Sequence, residues 1–395
     1  MKITSMRLLA SVALATGATL SLAACAGGTE GADSAEGATD AASAGSRVAL
    51  TYDGGLFVLD GDTLELLADI ELDGFNRLNS SGDGRHVLVS TAEGFQVLDT
   101  AEPELTDLVF DAPTPGHVVR HAERTILFSD GTGDTIIFDT DALLDADGEL
   151  PETEVVGAPD AHHGVSIELE DGTLLTTIGD SESRTGVRVL DANREEIARS
   201  EECPSVHGEG TAANEVVVFG CSDGVLVYDG KFTKITAPDA YGRTGNAYVT
   251  ETSPIMVGDY NADPDAEGYE LTAVTLVDTV AKSAEVINLP SGVAYTWRGV
   301  ARTADDNALI LGTDGALHVL DVETGEITES FPVIDAWKGP VEWQHAHPAL
   351  VVVGDIAYVT DPATNSIHAV DAATGEVLET GELPATPNEI AVVTG

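Results

Sequence analysis

Eight times along residues 46–395 a short apolar strand closes on aspartate. The copies are FVLD at Asp60, QVLD at Asp99, IIFD at Asp139, RVLD at Asp191, LVYD at Asp229, TLVD at Asp278, HVLD at Asp321 and IHAVD at Asp371. A repeat of this kind constrains the fold more than any other feature, because each unit is one supersecondary element that buries its apolar face only against its neighbours. Between the copies lie further alternating or continuously apolar strands separated by Gly/Asp turns, with no sustained 3.6-residue period, so the region reads as all-β.

A second strand recurs upstream of these. Its starts align at Asn76, His117, His163, His207, Asn246, Arg298, His345 and Asn388. From Asn76 to Asn388 the seven intervals average about 45 residues, the length of a four-stranded propeller blade. The last start has no blade after it, while residues 47–72 hold three strands without an inner one. The two ends complete each other, and pairing them leaves no open edge. The expected fold is an eight-bladed β-propeller over residues 46–395, with seven blades the nearest alternative. In that architecture the aligned residues form one polar ring around the central channel. Two positions further, on the same side by strand alternation, come Leu78, Val119, Val165, Glu209, Tyr248, Val300, His347 and Ile390, which adds Glu209 and His347 to the channel.

Seven of the ten histidines (His117, His121, His162, His163, His207, His345 and His347) fall in four inner strands. A generic propeller axis has no need of them. Neutral imidazole suits Zn²⁺, and three ring nitrogens with a carboxylate or water make a tetrahedral site. His117, His163 and His207 come from consecutive blades and are expected to form one cluster. Methionine occurs only at positions 1, 6 and 256, so soft-donor Cu(I) capture lacks its usual ligands. With ordinary imidazoles, affinity would weaken as pH falls through roughly 6. His86, His318 and His368 fall outside the inner strands and read as packing or surface residues. The stretch GDYNADPDAEGYE (258–270) is rich in oxygen donors but lacks the spacing of a calcium loop.

The 18 Lys and Arg against 68 Asp and Glu give a net charge of −50, which repels phosphate backbones and argues against nucleic-acid binding. At the N-terminus, Lys2 and Arg7 precede an apolar run to Ala24 that reads as a secretory signal. It ends in Leu22-Ala23-Ala24-Cys25, similar to a bacterial lipobox, so residues 1–24 would be removed and Cys25 would carry lipid. The domain would then be tethered outside the cell membrane with no transmembrane helix. Loss of Lys2 and Arg7 would take the net charge from −50 to −52. Residues 26–45 hold no apolar side chain larger than alanine and read as a flexible acidic linker of roughly 25 Å. The remaining cysteines, Cys203 and Cys221, flank a hairpin turning near Ala213 and are expected to form a disulfide in that compartment.

The segments DAHHGVSIELEDGTLLTT, CPSVHGEG, FGCSDGVLVY and EWQHAHPAL resemble the AztD family of zinc metallochaperones. The resemblance, with the repeat, covers about residues 46–395. It implies a periplasmic or surface propeller that holds zinc at two sites and passes it to the solute-binding protein of a zinc ABC transporter. The implied ligands are His162 or His163, His207, His345 and His347, to which the ring adds His117; two sites would imply a second cluster drawn from His345, His347 and Glu209. One departure stands out: the family's histidine-rich N-terminal stretch has no counterpart here, since residues 26–45 contain no histidine. The alternatives are a propeller enzyme, such as a quinone-dependent dehydrogenase or a lyase, and a cell-surface interaction scaffold. Neither accounts for the histidines, no catalytic triad order or cofactor motif is present, and the domain is expected to act as a monomer.

Overall fold

The computed structural model describes residues 45–146, 148–266 and 268–395. The expected leader, the lipidated Cys25 and the linker up to residue 44 lie outside the described residues. Among these described residues no helix is long and apolar enough to cross a membrane.

Eight antiparallel four-stranded sheets form the blades of a propeller, so eight rather than seven is the blade number. In the fifth, a two-residue strand at Gly242–Arg243 adds a parallel edge to Asp223–Tyr228. The closing blade is built from both ends of the domain. Ile390–Val393 is its inner strand and pairs with Arg47–Tyr52, setting Leu50 opposite Ile390, while Gly55–Asp60 and Leu66–Glu71 complete it. Thr51 fastens the joint: its amide donates to the Glu389 carbonyl at 3.0 Å, and its hydroxyl accepts from the Glu389 amide at 2.9 Å.

Burial explains the strand patterns. Middle strands are covered on both faces by neighbouring blades, so Gly55–Asp60 is continuously apolar and buried up to its last residue. Its outer neighbour Leu66–Glu71 alternates between exposed and half-buried, because only one face meets protein. Val48, Leu50, Phe57 and Leu59 are at most 1 % exposed, each contributing about 2 kcal/mol of hydrophobic stabilisation. The strand-ending aspartates serve turns: Asp60 accepts from the amides of Asp62 and Thr63, Asp278 from Val280 and Ala281, and Asp371 from Ala373 and Thr374.

Cys203 and Cys221 are joined by a disulfide with a Cα–Cα distance of 4.9 Å. It ties the approach to His207–Ala212 onto the end of Val216–Cys221, and both cysteines are fully buried.

Candidate metal centre

His117, His163 and His207 enter the site from three successive blades. His117 lies within the inner strand Pro115–His121, where the register against Arg124–Ser129 shifts between Pro115 and Val118. His163 precedes Ser166–Glu168, and His207 opens His207–Ala212. A bulge at Gly208 lets His207 face Gly220 and Glu209 face Phe219, which breaks the alternation that would put His207 and Glu209 on one side. Gly208 sits at φ +51°, and a Cβ there would lie 2.4 Å from the Gly245 carbonyl oxygen.

The three imidazoles converge, with ring centroids 5.0 to 5.3 Å apart. One nitrogen from each lies within 4.8 Å of the others. Two rings are oriented from behind. His163 donates its Nδ1–H to Asp130 Oδ2 at 2.6 Å, and His207 donates its own to the Gly245 carbonyl at 2.5 Å. Both tautomers are thereby set, leaving Nε2 of each as a free lone pair; carboxylate and carbonyl partners of this kind support metal-ligating histidines. Gly245 is itself held by Asp259, whose carboxylate also accepts from the Asn246 amide at 3.1 Å and the Asn246 side chain at 2.7 Å.

Charge favours the neutral rings. Burial, followed by the neighbouring imidazoles, Arg77 and Arg184, holds His117 well below the usual histidine range. Burial pushes His207 down to about 3, aided by His163, Arg243 and Arg184 and opposed by the Gly245 hydrogen bond. Two of the three rings could therefore accept a cation at neutral pH without losing a proton.

The other expected ligands stand elsewhere. His162 turns into the protein, donating from Nδ1 to the Asp160 carbonyl at 3.0 Å, accepting at Nε2 from the Thr177 hydroxyl at 3.1 Å, and packing edge-on to Phe128. Both its nitrogens are used, so of the adjacent pair His163 alone faces the cluster. The second cluster is not assembled. His345 is exposed, and its side chain stands 3.4 Å from the Glu342 carboxylate. It lies five residues ahead of Leu350–Val353, whereas Asn76, Arg298 and Asn388 lie two ahead of their strands, so the ring alignment slips in this blade. His347 is 2 % exposed, donates from Nδ1 to the His345 carbonyl at 2.7 Å, and keeps a buried Nε2 without a hydrogen-bond partner. Burial and then the Arg298 charge push it down to about 4. Glu209 lines the central cavity; burial raises its carboxyl to about 7, and its charged neighbours are His121 and Arg120. Among the described residues, His117, His163 and His207 are the one group of three or more ligand side chains within reach of a common ion.

Asp130, Gly245 and Asp259 escape a reading of the sequence. A backbone carbonyl leaves no residue signature. Asp130 looks like any turn aspartate, and Asp259 falls in the oxygen-rich stretch that reads as a surface insertion.

No family model matches the chain. It is 25% identical over 312 residues to the zinc chaperone AztD of Citrobacter koseri, an alignment spanning 75% of this chain and 70% of that protein. The fold matches that of apo AztD from Citrobacter koseri with a TM-score of 0.74 and 22% identity, covering 89% of this chain and 97% of the other. A second AztD crystal structure from that organism gives 0.72 and 21%, with the same coverage. The dihydro-heme d1 dehydrogenase NirN shares the fold at a TM-score of 0.60 and 13% identity, over 91% of this chain and 77% of that one.

Proposed function

For this relative of the zinc chaperone AztD, we propose an extracytoplasmic metallochaperone that holds Zn²⁺ between His117, His163 and His207 and hands it to the solute-binding protein of a zinc ABC transporter. The observation that carries the reading is the convergence of three imidazoles, two of them locked through Nδ1 so that Nε2 is free. Three nitrogens leave the fourth position of a tetrahedral ion open. An incoming ligand from a partner can occupy that position before the histidines let go, which suits transfer better than permanent storage. His163, with 41 % of its side chain exposed, is the ligand nearest to solvent and the natural one to be displaced first. The buried disulfide supports an oxidising compartment, and lipid on Cys25 would keep the domain at the membrane face.

The experiment is a transfer assay from zinc-loaded protein to the metal-free solute-binding protein of the cognate transporter. Transfer is expected to run faster than release into a chelator that waits for free dissociation. Equal rates would leave a zinc store rather than a chaperone. A propeller enzyme remains a second reading only through the distant NirN likeness, which shows the fold alone.

A further inference from the structure

A cavity of about 300 Å³ adjoins His117, and its walls also include Arg77, Asn79, Trp297, Arg298 and Glu389. Its charge is unlike the rest of the molecule. In a chain of net charge −50, two guanidinium groups here share one carboxylate. Arg298, 6 % exposed, pairs with Glu389 and donates to Asn388 Oδ1 at 2.7 Å and to the Asn388 and Trp343 carbonyls at 3.2 and 3.3 Å, while the half-buried Arg77 stays 3.7 Å from Glu389, beyond hydrogen-bond reach. The other carboxylate in the cavity wall, Glu209, answers to Arg120 and His121 instead. The Nε–H groups of both Arg77 and Arg298 are buried and have no hydrogen-bond partner. Arg77 is also held in place, its guanidinium 5.2 Å from the Trp297 ring and 5.7 Å from the Trp343 ring. Buried, positioned, unpaired donors carry the full desolvation cost unless an acceptor reaches them.

We infer that the central cavity is an oxyanion subsite, in which Arg77 and Arg298 bind a small carboxylate or tetrahedral oxyanion, and that its occupancy is coupled to cation binding at His117, His163 and His207. The coupling follows from proximity: His117 and Arg77 line the same cavity, so the Arg77 charge repels a cation held by that ring. An anion that offsets Arg77 lowers the repulsion met by a divalent cation at the cluster, and by linkage the cation strengthens the anion equally. The anion site does not depend on the zinc reading; the coupling does.

The test begins with metal-free full-length protein titrated with sodium sulfate and, separately, sodium acetate, against sodium chloride at constant ionic strength. Tryptophan fluorescence reports arrival, since Trp297 and Trp343 flank Arg77. Saturable binding with a Kd of about 1 mM or tighter is expected for at least one anion, and which one saturates assigns the class. Arg77→Gln should weaken it by about tenfold or more. Arg199→Gln, an exposed outer-strand arginine paired with Glu196, should not. No saturation with either anion, or equal binding by Arg77→Gln with an unchanged β-sheet signal, overturns the subsite. Zinc titration at saturating anion is then expected to show about fivefold tighter binding in the parent and no change in Arg77→Gln. Anion binding that leaves zinc affinity unmoved overturns the coupling alone.

Discussion

At the residue scale, the site works through the back side of its ligands as much as the front. His207→Ala and His117→Ala each remove a ligand nitrogen and are expected to weaken zinc binding by more than about 100-fold, whereas Asp130→Asn, which spares every ligand, should cost about 10–100-fold. Competitive titration against a chromophoric chelator separates the two sizes of effect. A loss in Asp130→Asn as large as in His207→Ala would mean that Asp130 itself ligates. Acid sensitivity follows from burial. Folding takes His207 from an ordinary value near 6.5 to about 3, so below pH 6.5 the unfolded chain binds the extra proton. Metal-free protein should therefore lose stability as pH falls from about 6.5 toward 3, with no contribution from this residue above that window. Zinc affinity between pH 7 and 5 should fall with a shallower slope than three ordinary imidazoles would give, because His117 and His207 already lack protons. Titrations at several pH values measure that slope, and a three-proton slope would place the ion elsewhere. The sequence expectation of a loss through pH 6 treated the rings as solvent-exposed, and depth in the channel corrects it.

At the element scale, a bulge and a disulfide aim His207. With Gly208 at φ +51° and the Gly245 carbonyl 2.4 Å from where a Cβ would stand, Gly208→Ala is expected to push the strand off that carbonyl, the acceptor for His207. Zinc affinity should drop at least tenfold while the β-sheet circular dichroism persists. Unchanged affinity would show that the bulge does not set the ring. Reducing the Cys203–Cys221 bridge should lower stability by about 3 kcal/mol by the loop-entropy model, read as a shift of the denaturant midpoint. Blade elements were legible in the sequence because a turn aspartate serves a local need that recurs along the chain, as at Asp60, Asp278 and Asp371, which mark strand ends. The ring position was legible where the inner strand starts two residues later, as at Asn76, Arg298 and Asn388. It failed at His345, where the connection from Glu326–Pro332 to Leu350–Val353 is long and irregular, so the inner strand begins later than the alignment places it. Glu209 lines the central cavity, but the one-residue bulge at Gly208 breaks its alternation with His207, so among the described residues it joins no group of ligands with the histidines. Choosing between His162 and His163 requires knowing that Thr177 and the Asp160 carbonyl claim the first.

At the scale of the whole molecule, ring closure holds the three blades of the site at fixed distance. Ile390, Ala391, Val392 and Val393 seal the seam against Arg47–Tyr52, and the last three are at most 7 % exposed. Ending the chain after Asn388 would remove apolar burial of about 6 kcal/mol, comparable with the whole stability of an ordinary domain. The truncated protein is expected to lose cooperative thermal melting, and a melt like the parent's would show that the seam is dispensable. The acidic exterior concentrates cations only loosely, so the proposed zinc capture depends on the channel histidines. The most direct measurement is a zinc titration of metal-free protein followed by X-ray absorption at the zinc edge, with His163→Ala alongside. One tightly held zinc per chain with three imidazole nitrogens in its coordination shell is expected, and two in the variant with much weaker binding. Fewer than one zinc per chain, or a parent and variant with the same affinity and the same number of imidazoles, would contradict the three-histidine site.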